Sequence, residues 1–319
     1  MQFAQKVVRW QRRHGRQDLP WQGTRDPYRI WLSEVMLQQT QVSAVVPYYQ
    51  RFLARFRDGG ALAAASEAQV LELWSGLGYY ARGRNLHRAA RQIAASGFPR
   101  SAEKIAELPG VGRSTAAAIA AFAYGERAAI LDGNVKRVLA RVFAITDESA
   151  LWPLAERLLP KRGIETYTQA LMDLGATVCT RRNPRCAACP VADGCKARKQ
   201  DRIAELPPPR ARRELPQREV TWLVLRRNGA VLLERRPAPG IWGGLWCFPE
   251  LKGKAPAGGQ ALPAIEHGFT HFRLRIRPLL FNRASTRVSG RWLRLEEAEG
   301  AALPAPVRML LARLREAAH

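Results

Sequence analysis

The chain has 319 residues, with 51 Lys and Arg against 27 Asp and Glu (net charge +24), a hydrophobic fraction of 47% and nine tryptophans. The apolar fraction excludes intrinsic disorder, the charge points to a polyanionic partner, and the length favours two domains over one core. The longest apolar run, Ala116–Ala123, falls far short of the roughly 20 residues of a membrane span, and Met1-Gln-Phe-Ala-Gln-Lys opens no apolar signal core, so the expected location is the cytosol, away from membranes.

In chain order, helical periodicity runs from Phe3 to about Thr177, over Ile30–Gln39, Val42–Phe56, Ala81–Ser96, Ser114–Ala123, Val135–Ile145 and Tyr167–Thr177. Four cysteines then fall within seventeen residues, spaced Cys179-x6-Cys186-x2-Cys189-x5-Cys195. The Pro- and Arg-rich stretch that follows, Leu206 to Pro216, reads as a stiff linker. Beyond it the period changes. Val220–Arg226 and Ala230–Glu234 flank an Asn228-Gly229 hairpin signal, Phe269–Pro278 and Gly290–Leu295 read as further strands, and Pro306–Ala317 as a closing helix. The expected organisation is an all-α domain over 1–205, a linker over 206–218 and an α+β domain over 219–319.

Three features carry chemistry. Four thiolates in one short loop suit a tetrahedral zinc or an iron–sulfur cluster, and the uneven spacing leaves both open. Cys247, alone between Trp246 and Phe248, reads as a buried small hydrophobe. Leu108-Pro-Gly-Val-Gly-Arg-Ser-Thr115 joins two helical segments within about 102–124. Its glycines, Gly110 and Gly112, followed by Arg113 and Ser114, form an anion site at a helix N-terminus. No Gly-Lys-Ser/Thr of a nucleotide loop is present, so the phosphate expected there belongs to a nucleic-acid backbone. Finally, Glu34 stands in an apolar helical run between Ser33 and Val35-Met36-Leu37, where burial raises a carboxyl pKa and keeps its proton for donation. Asp132 precedes a helix as an N-cap, which keeps a carboxylate ionised and hydrogen-bonded. A proton donor with a permanent anion is the pair that cleaves a glycosidic bond through a cationic sugar.

Trp31–Gln41, Gly76-Leu-Gly-Tyr-Tyr-Ala-Arg82, Leu108–Thr115, Leu131–Val138 and the cysteine loop, in that order, resemble the helix-hairpin-helix DNA glycosylases with an iron–sulfur cluster, and within them the MutY-type adenine DNA glycosylase family. The resemblance covers essentially the whole chain, including a C-terminal domain similar to a Nudix fold. It implies a [4Fe–4S] cluster on Cys179, Cys186, Cys189 and Cys195. It also implies a monomeric enzyme acting on duplex DNA that carries adenine opposite 8-oxoguanine or guanine. By the same resemblance Glu34 protonates adenine N7, Asp132 stabilises the sugar cation, and Tyr124 and Asn134 support it. Trp21, Leu37 and Gln169 line the adenine pocket, and Gln39 and Tyr79 wedge into the duplex. Phe269-Thr270-His271 stands where the family has Phe-Ser-His, in a loop that meets the opposite base.

An endonuclease III-like lyase for oxidised pyrimidines needs a hairpin lysine where this chain has Ser114. A non-catalytic DNA-binding protein leaves Glu34 and Asp132 without purpose. Nucleotide pyrophosphate hydrolysis by the Nudix-like domain needs a Mg²⁺-binding glutamate cluster, and Leu251–Ile265 contain no acid.

Overall fold

Short apolar segments punctuated by Gly and Pro fold as helices through the first part of the chain: α1 (Phe3–His14), α2 (Pro27–Leu37), α3 (Val42–Arg55), α4 (Gly59–Ala64), α5 (Glu67–Trp74), α6 (Tyr80–Ser96), α7 (Ala102–Ile105), α8 (Arg113–Tyr124), α9 (Gly133–Phe143), α10 (Leu151–Arg157), α11 (Ile164–Asp173) and α12 (Lys196–Lys199). The structure is a computed structural model that describes residues 3–208, 214–237, 240–254, 256–282 and 288–316; 209–213 of the expected linker and Ala317 of the expected closing helix lie outside them. Helix starts follow local chemistry. Asp26 caps α2 ahead of Pro27, a Ser66/Gln69 capping box opens α5, and Asp132 caps α9.

Two helix ends differ from the periodicity. The apolar pattern carries α2 to Gln39, but the helix stops at Leu37, where the Gln38 and Thr40 amides tighten onto Val35 and Leu37 carbonyls. The pattern carries α11 to Thr177, but at Leu174 the helix widens into a π-turn through Val178, closed by Cys179 N–H on the Leu174 carbonyl at 2.7 Å. Such bulges recur at functional sites.

The chain divides into two compact units, Met1–Ala64 with Asn85–Ala211, and Ala65–Arg84 with Arg212–His319. In the first, α8 is buried over most of its surface, and Ala117, Ala118 and Ala121 pack with Val7, Val135, Leu139, Tyr167 and Leu171 in one core. Alanines let neighbouring helices approach closely, which brings α2, α7 and α11 around α8.

Among its described residues the second unit holds a seven-stranded mixed sheet made of β1 (Gln217–Arg227), β2 (Ala230–Arg235), β3 (Trp246–Cys247), β4 (Gln260–Ala261), β5 (Ile265–Gly268), β6 (Arg273–Phe281) and β7 (Arg291–Arg294), with α13 (Leu295–Gly300) and α14 (Ala305–Glu316) following. The order is β3-β2-β1-β6-β4, with β5 beside β6 and β7 beside β2; β1 and β6 are parallel and the other pairs antiparallel. Trp222, Val224, Leu245, Ile276, Leu303 and Leu310 form its core, which Leu71 of α5 joins. Cys247 is buried there, 1% exposed. One strand boundary moves: the β-rich run from Phe269 begins its strand only at Arg273, because Phe269–Phe272 close a tight hairpin between β5 and β6. No helix among the described residues is long and apolar enough to cross a membrane.

Candidate active site

Glu34 lies in the second half of α2 among buried Ser33, Val35 and Met36. Burial, and then the charge of Asp132, push its carboxyl up to about 8. Both causes favour the protonated form. Asp132 receives mixed treatment. Burial is the largest influence and leaves its pKa raised, while the amides of Val135 and Asn134, each 2.8 Å from Oδ1, and the Arg137 guanidinium offset part of that rise by stabilising the anion. Burial raises both carboxyls, and what separates them is the set of donors around Asp132, which favours its anion over that of Glu34.

The segment that delivers Asp132 is seated by Ser114, whose Oγ accepts the Leu131 amide at 2.9 Å. The hydroxyl expected at a phosphate is thus engaged beside the carboxylate. Asn134 accepts from Arg137 Nη2 at 2.8 Å, and Arg137 also donates to the carbonyls of Gly175 and Cys179, each at 2.7 Å. Gly175 is required here, since a Cβ would stand 2.6 Å from Asn134 Cβ. The structure does not bring Tyr124 into this group. It ends α8, about 15 Å from Ser114 along the helix at about 1.5 Å per residue, and the charges that act on it are those of Arg100 and Asp26.

Trp21 is buried and meets Tyr49 edge-on at 5.4 Å; Leu37 is half-buried at the end of α2. Gln169 donates its amide to Asp173 Oδ1 at 2.8 Å, which turns its own carbonyl oxygen elsewhere. Asp173 is fully buried and also takes the Arg16 amide at 2.9 Å and Arg16 Nε at 2.7 Å. Arg16 and Asp173 escape the sequence reading, although Asp173 in Ala170-Leu-Met-Asp-Leu carries the same signal as Glu34, a lone acid in an apolar helix.

At the hairpin between α7 and α8, Gly110 holds φ at 78° and Gly112 caps α8 without any side-chain bond, leaving the first amides of α8 to an external acceptor. Arg113 stacks on Trp152 at 3.9 Å and pairs with Glu156. Gln39 has left-handed backbone (φ 57°) and is exposed. In the second unit Tyr79 is left-handed too (φ 48°) and 49% exposed. Also there, the β5–β6 hairpin exposes Thr270 and His271 at its tip. Phe269, assigned with them to the opposite base, instead stacks on Phe272 at 4.4 Å and packs against Trp242 and His267. Its ring gains more from that apolar cluster than from solvent at a tip.

Cys179, Cys186, Cys189 and Cys195 line one cavity with Val138, Leu174, Val178 and Arg141. Arg141, 3% exposed, donates to Cys179 Sγ at 3.5 Å and to the carbonyls of Thr180, Arg181 and Leu206 at 2.7–3.2 Å. Burial holds the Cys179 thiol high and pushes Cys189 up to about 11, so the thiolates need positive charge at the cavity's centre. Among the described residues no three His, Cys, Asp or Glu side chains converge on a point that would hold one ion. Four soft donors spread around a largely apolar cavity fit a cluster, which gives each thiolate its own iron.

Comparison with known proteins agrees with this geometry. Residues 32–159 match the family model described as HhH-GPD superfamily base excision DNA repair protein, 179–195 the iron-sulfur binding domain of endonuclease III, and 220–313 the NUDIX domain. A thermostable thymine-DNA glycosylase structure, 29% identical, superposes with TM-score 0.58 over 62% of this chain and 95% of its own; an endonuclease III–DNA complex, at 20% identity and TM-score 0.55, shares the fold over the same 62% and 94% of its own chain. The adenine DNA glycosylase of Homo sapiens is 37% identical over 78% of this chain and 57% of its own. That of Buchnera aphidicola subsp. Baizongia pistaciae is 34% identical over 98% of this chain and 97% of its own. An alignment that runs almost end to end through both units leaves no part of the architecture unmatched: this chain belongs to the adenine DNA glycosylase family.

Proposed function

We propose that this protein hydrolyses the N-glycosidic bond of adenine opposite 8-oxoguanine or guanine in duplex DNA and leaves an abasic site. The observation that carries the reading is the pairing of a carboxyl raised to about 8, Glu34, with Asp132, whose anion is held by two backbone amides. The target adenine leaves the stack for the pocket of Trp21, Leu37 and Gln169. Glu34 gives its proton to N7, the C1′–N9 bond breaks with its electron pair passing to the base, and the Asp132 carboxylate stabilises the cationic sugar. Water adds at C1′ and its proton returns to a carboxylate. Asn134 and Ser114 act on the Asp132 segment. Tyr124, at the far end of α8 from Ser114, is not used in this mechanism.

The amides of Gly112 and Arg113 at the hairpin receive a DNA phosphate, and Gln39 and Tyr79 fill the stack beside the mispair. Thr270 and His271 read the opposite base, where oxidation converts guanine N7 from acceptor to donor. Held by the four cysteines, a [4Fe–4S] cluster cross-links the loop that carries Arg181, Arg182 and Arg185. The protein acts as a cytosolic monomer. The reading keeps the helical domain at 1–205, the linker at 206–218 and the reader domain at 219–319, with Ala65–Arg84 packing in the reader's unit.

Single-turnover reactions on duplexes with adenine opposite 8-oxoguanine, guanine or thymine test it. Adenine release from the first two, with strands that break only after alkali, is expected. Strand cleavage that keeps pace with base release would instead establish the lyase, with Lys136 the first lysine to replace.

A further inference from the structure

Tyr79 is a large ring held half in solvent on left-handed backbone, directly after the positive-φ glycines Gly76 (96°) and Gly78 (77°). A bulky residue keeps that conformation only where its surroundings enforce it. On one side Trp74 Nε1 donates to the Gly78 carbonyl at 3.0 Å, the Arg82 amide bonds the Tyr79 carbonyl at 2.8 Å, and the Arg82 guanidinium lies 5.5 Å from the Trp74 ring and 5.2 Å from the Tyr79 ring.

The other side is held by a residue 228 positions from Ser75. Ser75 Oγ donates to the Leu303 carbonyl and accepts the Leu303 amide, both at 3.1 Å, and it also accepts Arg308 Nη2 at 2.7 Å. Tyr80 OH donates to the same Leu303 carbonyl at 2.7 Å while accepting the Gly76 amide at 3.2 Å. Leu303 itself is fully buried in the core beneath the sheet. Two hydroxyls therefore splice the turn onto one buried carbonyl, and Arg84 adds a bond to the Gly243 carbonyl at 2.6 Å.

We propose that the C-terminal sheet unit sets the position of Tyr79 through this clamp of Ser75 and Tyr80 on Leu303, and so reads the strand opposite the target base through the Tyr79 ring as well as through the Thr270–His271 tip. The proposal rests on the assignment of Tyr79 to the duplex wedge. Ser75 and Tyr80 are then positioning residues that touch no DNA.

Full-length, cluster-loaded protein carries the test, with duplexes bearing adenine opposite 8-oxoguanine. Tyr80→Phe and Ser75→Ala should each weaken duplex binding about fivefold, the size of one lost hydrogen bond, while the single-turnover rate at saturating protein stays within about twofold. Ser75→Thr, which keeps a hydroxyl, should restore most of the loss. In a Tyr79→Ala background Tyr80→Phe should add less than about twofold, because both act through one ring. Amide exchange over 76–79 in the free protein should rise about tenfold in Tyr80→Phe. Multiplying effects in the double variant, or unchanged exchange, would overturn the clamp. Parental binding by Tyr79→Ala would overturn the wedge assignment instead, and the exchange measurement would still decide the clamp.

Discussion

Replacing Glu34 with Gln should inactivate the protein and stabilise it at once. A carboxyl pushed from its ordinary 4.5 to about 8 by burial and by Asp132 binds its proton more tightly folded than unfolded. The sign follows from that difference. Below pH 4.5 both states are protonated and burial brings no ionic penalty, whereas between 4.5 and about 8 the unfolded chain ionises and the folded one does not. Each pH unit in that window costs the folded state about 1.4 kcal/mol, so the penalty is about 3 kcal/mol at pH 7 and reaches a ceiling near pH 8. An amide of the same shape carries none of it. For a unit of this size 1 kcal/mol moves the melting temperature by about 2–4 °C, so Glu34→Gln should melt about 6–12 °C higher than the parent at pH 7. At pH 5 the gain should shrink to less than about 3 °C by the same scaling. Thermal melts of cluster-loaded protein at the two pH values check this. In parallel, single-turnover adenine release by the parent should fall about tenfold per pH unit above 8 as the acid ionises, and the variant should release none. A variant that gains nothing at pH 7, or a parent rate flat from pH 7 to 9, would refute the assignment of Glu34 as a proton-holding acid.

Asp132→Asn should bind mispaired duplex like the parent yet release adenine at least about a hundredfold more slowly, the scale of losing one electrostatic stabiliser, as measured under single-turnover conditions. Asp173→Ala strips a buried acceptor from Arg16 and Gln169 and should lower urea stability by about 3 kcal/mol while slowing adenine release; an unchanged midpoint would show the network to be slack. The purified protein should be brown with about four irons per chain, and Cys189→Ala should weaken DNA binding more than it changes the rate of bound substrate, whereas one zinc and no iron would end the cluster assignment. Thr270→Ala with His271→Ala should erase most of the preference for 8-oxoguanine over guanine in competition assays without moving the melting temperature, since both side chains are exposed.

Much of this was legible because it is local. Asp26-Pro27 and the Ser66/Gln69 pair open helices wherever they occur, an acid among Val35, Met36 and Leu37 is destined for burial, and the Asn228-Gly229 turn sets its hairpin. What escaped depends on contacts between distant residues. Nothing near Tyr79 or Gln39 announces left-handed backbone, because neither is glycine and the strain at Tyr79 is enforced by partners as far away as Leu303. Ser114 looked like a phosphate ligand until the Leu131 amide arrived at its oxygen. Phe269 read with Thr270 and His271 as a contact to the opposite base, whereas its ring packs on Trp242 and His267. Cysteine spacing favoured a cluster over zinc only slightly, because both use the same thiolates and differ in whether the sulfurs share one centre.

The neck of the β5–β6 hairpin bears on how the proposed reader can change. Phe269 and Phe272 stack across it, the Phe269 amide bonds the Phe272 carbonyl at 2.9 Å, and Arg218 covers Phe272 at 4.6 Å. Folding information is concentrated in those flanking rings, and the two residues between them contribute almost none. Thr270 and His271 are therefore a two-letter word in a fixed frame, free to drift or be randomised without endangering the sheet. A library confined to these positions would sample recognition of other oxidised or alkylated partners of adenine while nearly every member still folded.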